Sequence, residues 1–382
     1  MPAKSSRLIE RQVQEKPRRR PVDSPTLLIV LMLMATGLIA LFTASYSNAL
    51  YQHNDPLYFI KRQAGFAVGG LALMWFVSGI HYRIYARFHK MLLLVSYGLL
   101  AVTPFIGRSS KGATRWIDLG PIGFQPSEVM KIAIIISFAY YISQNPASVR
   151  TLKGLIWPYG AMLVSVAGLL VLEPHMSATM IIFLIGGVML YVGGMRLWVF
   201  LIPIIGGPVA FIAYLKAKPY AMDRIRVWLD PFVDLHGDGW QGANSQVAIG
   251  SGGLFGLGLG NGRQKHLYLP EPQNDFVFSA FCEELGLIGA ILVMLLFAYL
   301  IFRGFYIARS SRDKFGCLVA TGITAKLAIQ TLMNLCVITG IFPVTGASLP
   351  FFSYGGTALL MQLAEIGILL NISRFMTVDN TG

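Results

Sequence analysis

Carboxylates stand at the mouth of one of the most apolar stretches of this chain. In PEPQNDFVFSAFCEELGLIGAILVMLLF, Asp275 precedes the apolar run, whereas Glu283 and Glu284 lie inside it. An ionised carboxylate within a membrane is costly, so it normally faces water, a cation or other protein. Asp275 would therefore cap a helix that begins there or serve a site at the membrane surface. At least one of the two glutamates should face a hydrated cavity or a cation.

A second charged pair lies in the segment RSSKGATRWIDLGPIGFQPSEVMK. Its QPSE portion is typical of a helix start, which places Glu128 early in the helix and Lys131 one turn deeper. Residues three apart share a helix face, so the two side chains can form an ion pair. Two interpretations remain open: a buried pair that neutralises itself and fixes the helix, or the polar wall of an outward-facing cavity. Arg115 lies in the loop before this pair.

The glycine-rich segment GLGLGNG is followed at once by Arg263, Lys265 and His266. Neither a Rossmann nor a Walker pattern is present, and no strand–helix context supports a nucleotide site. The glycines either permit tight backbone turns or let bare backbone N–H groups approach a pyrophosphate. The cations that follow would suit such a polyanionic ligand.

Other polar residues within apolar stretches also need partners. Lys326, Gln330 and Asn334 are spaced four apart, which makes a polar stripe able to meet the acids or to join two helices. Glu365 lies inside the last apolar stretch and needs a partner of its own. His175, in LEPHMSATM, either caps a reversal of the chain or titrates near neutral pH or binds a metal.

The composition indicates which elements must position these residues. Of the 382 residues, 55% are hydrophobic and only 13% charged, and the mean hydropathy is +0.61. A soluble protein of this length could not bury so much apolar surface, so the sequence predicts a polytopic membrane protein. The net charge of +13 does not indicate nucleic-acid binding, because the basic residues lie mostly in short loops and in the N-terminal tail. The three cysteines show no disulfide or metal spacing.

The expected fold is all-α with ten transmembrane helices. Lys and Arg favour the short loops on the side of the N-terminus, which predicts that both termini are cytoplasmic. A large outer loop, about 215–277, separates helices 7 and 8. Residues 1–24 form a basic, disordered tail, and 25–382 a single domain. The predicted spans are 25–47, 63–80, 88–107, 127–143, 155–172, 175–194, 197–214, 276–302, 316–342 and 356–373.

Four ordered motifs resemble the SEDS (FtsW/RodA/SpoVE) family of shape, elongation, division and sporulation proteins, with the division and sporulation members nearest. They are KGATRWIDLGPIGFQPSE, AIGSGGLFGLGLGNGRQK, LPEPQNDFVFSAFCEELG and PVTGASLPFFSYGGTALL, and the likeness covers nearly the whole chain after the tail. The resemblance implies a peptidoglycan glycosyltransferase in the bacterial cytoplasmic membrane. Such an enzyme polymerises lipid II at the outer leaflet, so the active site is expected outside the cytoplasm.

The resemblance also implies roles for individual residues. Asp275 matches the family's essential aspartate and would be the general base for the incoming sugar hydroxyl. Glu128 and Lys131 match a paired Glu and Lys of the fourth helix. The leaving pyrophosphate would be met by cations or by a divalent ion, Mg or Mn. The expected substrate-binding residues are Glu128, Lys131, Arg115, Arg263, Lys265 and Glu283.

Two departures from the family pattern matter. Gln273–Asn274 stand where many relatives have His-Thr, and His175 replaces an acid, which puts any mechanism that uses that acid in doubt. The expected partners are lipid II, membrane lipids, other divisome proteins and a class B penicillin-binding protein, a transpeptidase that would dock on helices 8 and 9. Nucleic acid is not expected. A lipid II flippase and a non-catalytic divisome scaffold remain the alternatives.

Overall fold

The computed structural model describes residues 21–376 except 111–112, 121, 201–205, 207–226, 233–238, 266–268 and 270. The N-terminal tail to residue 20 and His266 lie outside the described residues. So does most of the seventh predicted span, of which the 3₁₀ turn Leu197–Phe200 and residue 206 are described. The helices are α1 (Ser24–His53), α2 (Tyr58–Gly79), α3 (Arg83–Ile106), α4 (Pro126–Gln144), α5 (Leu152–Leu172), α6 (Met176–Gly193), α7 (Trp240–Ser251), α8 (Val277–Arg309), α9 (Lys314–Ile338) and α10 (Gly356–Ser373).

Within the described residues, seven helices are long and apolar enough to cross a membrane: α1, α3, α5, α6, α8, α9 and α10. The prediction of an all-α polytopic membrane protein is confirmed. Helices α2 and α4 have 22 and 19 residues and coincide with predicted spans. In α4 almost every residue from 126 to 139 is buried by protein, which is where charged side chains within a membrane are tolerated.

Helix α4 is the centre of the bundle. It packs against α3, α6 and α9, while α10 packs against α2, and α8 packs against α1 and α9. Small residues let these helices approach closely, as expected where lipid gives no hydrophobic drive for association. A Cβ added to Gly322 of α9 would lie 2.6 Å from the Ile135 side chain of α4. The position of α9 against α4 therefore depends on a glycine.

The connection between α3 and α4 contains a small antiparallel sheet where the sequence predicts a loop. Its strands are β1 (Arg108–Ser110), β2 (Ala113–Leu119) and β3 (Ile122–Phe124), in the order β1-β2-β3. Arg108 pairs with Trp116, and Ile117 pairs with Phe124. The sheet positions Arg115, which lies on its central strand.

Helix α7 is a second element that was not predicted, since the whole of 215–277 was taken as a loop. It packs against α8. Helix α8 itself is not continuous: Gly286 has φ 66° and ψ −167°, which breaks the helix about two and a half turns after its start. Residues 252–262 return along α8 at this break.

Candidate functional site

Asp275 lies in a tight turn that leads into α8. Residues 271–276 form successive turns, in which Glu271 has a φ of 57° and its carbonyl accepts a hydrogen bond from Asn274 N–H. Helix α8 begins at Val277 and its N-cap residue is Phe276. Asp275 therefore precedes the capping position, and the helix-capping interpretation of this residue is wrong.

Three amide side chains hold this turn from different elements. Asn334 Nδ2, on α9, donates to Asp275 O and to Ala347 O, both at 2.7 Å. Gln273 Oε1 accepts from Asn48 Nδ2 of α1 at 2.9 Å, and Gln273 O accepts from Tyr354 N–H at 2.8 Å. The backbone that carries Asp275 is thereby fixed to α1, to α9 and to the loop before α10.

The structure places Arg115 and the Asp275 carboxylate beside the same glycine. A Cβ built on Gly346 would lie 3.5 Å from Asp275 Oδ2 and 3.6 Å from Arg115 Nη1, so both charged groups border the same point. Arg115 Nη2 also donates to Pro174 O at 2.5 Å. Gly346 has a φ of 76°, a conformation that glycine adopts without strain. A carboxylate and a cation thus share one half-buried corner of the molecule.

Next to Arg115, the reversal between α5 and α6 contains two buried titratable groups. Burial raises the pKa of the Glu173 carboxyl to about 7, although the Thr103 hydroxyl and the Arg115 charge partly offset the rise. Burial, together with the nearby Arg115 and Lys131 charges, lowers the pKa of His175 to about 3. His175 therefore stays neutral near pH 7, which excludes the expectation that it titrates there.

Behind this corner, four buried charges form one network across three helices. Lys131 Nζ lies 2.6 Å from Glu128 Oε1, which confirms the predicted ion pair. Lys326 Nζ, on α9, lies 3.3 Å from Glu128 Oε2 and 2.7 Å from Glu365 Oε1 on α10. The network holds two acids and two bases and is neutral as a whole. This favours the self-neutralising interpretation of the Glu128–Lys131 pair over the cavity wall.

The remaining predicted residues gather around α8. Glu283 Oε1 accepts from Arg263 N–H at 2.8 Å, and Lys265 Nζ lies 2.7 Å from Glu284 Oε1, with both side chains buried. At 1.5 Å per residue, Glu283 is about 12 Å along the helix from Asp275. Of the two interpretations of the Lys326 stripe, the structure favours the joining of helices, because Lys326 of α9 pairs with Glu128 of α4 and Glu365 of α10. Glu284 pairs with Lys265 instead.

The glycine-rich segment follows the tight-turn interpretation. The N–H groups of Gly256, Leu257 and Gly258 donate to protein carbonyls, those of Gly252, Glu283 and Glu284 respectively. These three donors are therefore occupied within the protein. The Arg263 side chain, in contrast, is exposed at the surface.

Sequence reasoning missed two contributors to the corner at Asp275. Gly346 lies in VTGAS, where nothing in the sequence marks its approach to Asp275 or to Arg115. Gln273 was noted only as a departure from the family pattern, whereas its amide fixes the turn. A metal site does not emerge from the described part of the chain, since no three His, Cys, Asp or Glu residues are grouped to hold an ion.

The architecture agrees with the comparisons to known proteins. A family model described as "Cell cycle protein", for FtsW, RodA and SpoVE, matches residues 24–378. The chain belongs to the FtsW/RodA/SpoVE family. Within this family, it is 38% identical over 357 residues to Stage V sporulation protein E of Bacillus subtilis, covering 92% of this chain and 98% of that protein. It is 41% identical over 369 residues to a probable peptidoglycan glycosyltransferase FtsW of Trichlorobacter lovleyi, covering 95% and 96%.

Solved structures of FtsW/RodA/SpoVE proteins share the fold. A chain of a peptidoglycan synthase complex, described as coordinating polymerization and crosslinking, matches with a TM-score of 0.78 at 27% identity, covering 92% of this chain and 98% of that one. RodA of Thermus thermophilus matches with a TM-score of 0.69 at 25% identity, covering 94% and 98%. The likeness therefore extends over the whole bundle and is not confined to a single motif.

Proposed function

We propose that this chain is a peptidoglycan glycosyltransferase that polymerises lipid II, with Asp275 as the general base. The observation that carries the residue assignment is the convergence of Asp275 Oδ2 and Arg115 Nη1 on Gly346. The activity rests on relatives that bear the name peptidoglycan glycosyltransferase and cover nearly the whole chain.

The reaction needs a proton acceptor and a stabilised leaving group. Asp275 takes the proton of the acceptor's GlcNAc 4-hydroxyl while the oxygen of that hydroxyl attacks C1 of the donor's MurNAc. A general base raises the rate of such a step by about 10²–10⁴-fold. The bond from C1 to the pyrophosphate oxygen breaks, a β-1,4 bond forms, and undecaprenyl diphosphate leaves. Arg115 supplies fixed positive charge for the developing negative charge on the diphosphate.

The other predicted substrate-binding residues have different surroundings. The Glu128 and Lys131 side chains are buried in the four-charge network, where they stabilise the helices behind the site. Lys265 and Glu283 hold residues 260–265 against α8. Arg263 is exposed and can still meet a polyanion. That these five residues contact the substrate stays a prediction. The divalent cation also stays a prediction, and the described residues offer no cluster of ligands for it.

The active site is proposed to lie outside the cytoplasmic membrane. Asp23, at the start of α1, pairs with Arg303 near the far end of α8, while Asn48 near the other end of α1 contacts Gln273. Asp275 and the N-terminal end of α1 are thus at opposite ends of the bundle. Since Lys and Arg favour the N-terminal side, that side is cytoplasmic and Asp275 is external.

A transpeptidase of the class B penicillin-binding type is the proposed protein partner, together with other divisome proteins. The structural relative in a complex that combines polymerization and crosslinking supports this pairing. Helices α8 and α9 expose apolar side chains such as Leu295 and Leu332, which a single-span partner could cover.

The decisive experiment uses purified protein in detergent with lipid II as substrate. Asp275→Asn should abolish glycan polymer on gels, and Asp55→Asn, an exposed acid at the same end of the bundle, should keep it. A flippase has no translocation to perform in detergent, and a scaffold forms no polymer. Polymerisation by Asp275→Asn would refute the assignment of Asp275 as the base. If the unsubstituted protein formed no polymer, the proposal that it is an enzyme would be refuted.

A further inference from the structure

Part of the outer loop lies beside the membrane-spanning portion of α8. The helix breaks at Gly286, about 14 Å along its axis from Val277. Residues 252–262 run along the helix at this level. Gly252 and Gly256 make the close approach possible, because a Cβ on either would overlap the carbonyl oxygen of Cys282 or of Glu284, respectively.

This segment satisfies the backbone groups that the break releases. Leu257 N–H and Gly258 N–H donate to Glu283 O and Glu284 O, at 3.0 and 2.9 Å. In return, Leu287 N–H and Ile288 N–H of α8 donate to Gly253 O and Leu254 O, at 2.9 and 3.2 Å. Irregular backbone within a bilayer is stable only where its polar groups are satisfied by protein. These four hydrogen bonds meet that condition at the break.

The side chains of the segment are apolar and point outward. Residues 252–260 read GGLFGLGLG and contain no polar side chain. Leu254, Phe255 and Leu259 are exposed, with Phe255 80% accessible. An aqueous loop has no physical reason to present such a group of side chains together.

The exposed surface is continuous with the outward face of α8. Leu287 and Ile288, whose N–H groups donate to the segment, are exposed, and so are Ile291 and Leu292 below them. This face lies on a helix of mean hydropathy 2.8 that is long enough to cross the membrane. Just beyond the segment, Asn261 and Arg263 are exposed, as expected for residues that return to the headgroup level.

We infer that residues 252–260 form a re-entrant membrane segment whose tip, Leu254 and Phe255, inserts among the acyl chains of the leaflet on the Asp275 side. The occupant of this surface is lipid. The outer loop is therefore anchored in the bilayer close to Glu283 and Glu284, the residues that hold the following part of the loop against α8. The inference does not depend on the proposed function, because no part of it uses catalysis.

Spin-label accessibility tests this placement without a catalytic readout. Cys282, Cys317 and Cys336 are replaced by alanine, and one nitroxide is attached at Phe255→Cys in nanodiscs of phosphatidylethanolamine and phosphatidylglycerol. Leu292→Cys, on α8 and 59% exposed, is the lipid control. Lys61→Cys, in the first turn of α2 with a native side chain that is 61% exposed, is the aqueous control. Leu254→Cys repeats the measurement at a second position.

The ratio of collision rates with oxygen and with a soluble nickel chelate reports the environment of each label. The ratio at Phe255→Cys should equal that at Leu292→Cys and exceed that at Lys61→Cys severalfold. A ratio like that of Lys61→Cys would place the tip in water and overturn the inference. A label shielded from both reagents would mean that protein covers the tip, which overturns the assignment to lipid as well.

Discussion

Removal of the Asn334 amide should show how much the placement of Asp275 contributes to catalysis, apart from any loss of stability of the bundle. The Asn334 side chain is fully buried, and its Nδ2 joins Asp275 O to Ala347 O. Asn334→Ala leaves two carbonyl groups without these donors, and each unsatisfied buried group costs about 1–3 kcal/mol. We therefore expect the free energy of unfolding to fall by about 2–4 kcal/mol, since part of the loss is relieved by local relaxation.

The effect on catalysis should be larger than stability alone explains. The amide fixes the turn that carries the proposed base, and a misplacement of about 1 Å in an active site can reduce the rate about 10²-fold. Asn334→Ala should lower kcat for glycan polymerisation by about that factor, with a smaller change in KM. Polymer formed from lipid II by purified protein is measured at a temperature well below the thermal midpoint of the variant.

Gln330→Ala is the matched control. Gln330 lies one turn earlier on α9, is equally buried, and donates through Nε2 to Ser348 O and Ser348 Oγ, both at 3.1 Å. The two variants should lose similar thermal stability, whereas only Asn334→Ala should lose the hundredfold in kcat. Equal losses of kcat in both, or an unchanged kcat in Asn334→Ala, would refute the positioning argument.

Two further perturbations test the buried charges. Lys326→Met should lower the free energy of unfolding by about 3–5 kcal/mol, because Glu365 and one oxygen of Glu128 then lack their cation. The double variant Lys326→Met/Glu365→Leu should recover part of this lost stability in thermal melts in detergent. A double variant as unstable as Lys326→Met would contradict the argument. Burial raises the pKa of Glu173 in the folded protein to about 7, above its ordinary value of 4.5, so stability should fall as pH rises from about 4.5 to 7 and then level off. Glu173→Gln should flatten this dependence of stability on pH in thermal melts. Asp55→Asn should keep it, because the Asp55 carboxyl is ionised over this whole pH range. An unchanged dependence in Glu173→Gln would contradict the burial argument.

Features set by local sequence were predicted well. The bounds of the last span, 356–373, agree with α10, because an apolar run of span length leaves few alternatives. The Glu128–Lys131 pair was also predicted, since residues three apart on a helix must share a face. Helix ends were less certain: α8 continues to Arg309, seven residues beyond the predicted end, because a spanning helix can project from the membrane.

Features set by contacts between distant segments were not predicted. The meeting of Arg115, Asp275 and Gly346 joins three separate loops, and no local periodicity encodes it. The sequence left the partner of Lys326 open, because any buried acid would satisfy the same requirement. Packing of α9 against α4 and α10 selects Glu128 and Glu365. The sheet between α3 and α4 escaped for the same reason, as its strands are only three to seven residues long.

One face of α9 links the buried charges to the proposed catalytic residue. Lys326, Gln330 and Asn334 follow each other at intervals of one turn, and bind the ion network, the loop before α10 and the Asp275 turn respectively. Because a helix is stiff along its axis, an axial shift of α9 must move all three contacts together. The ion network resists that shift, since any displacement would leave buried charges unpaired. We therefore expect the four charges to support the proposed reaction by holding the turn of Asp275 in register.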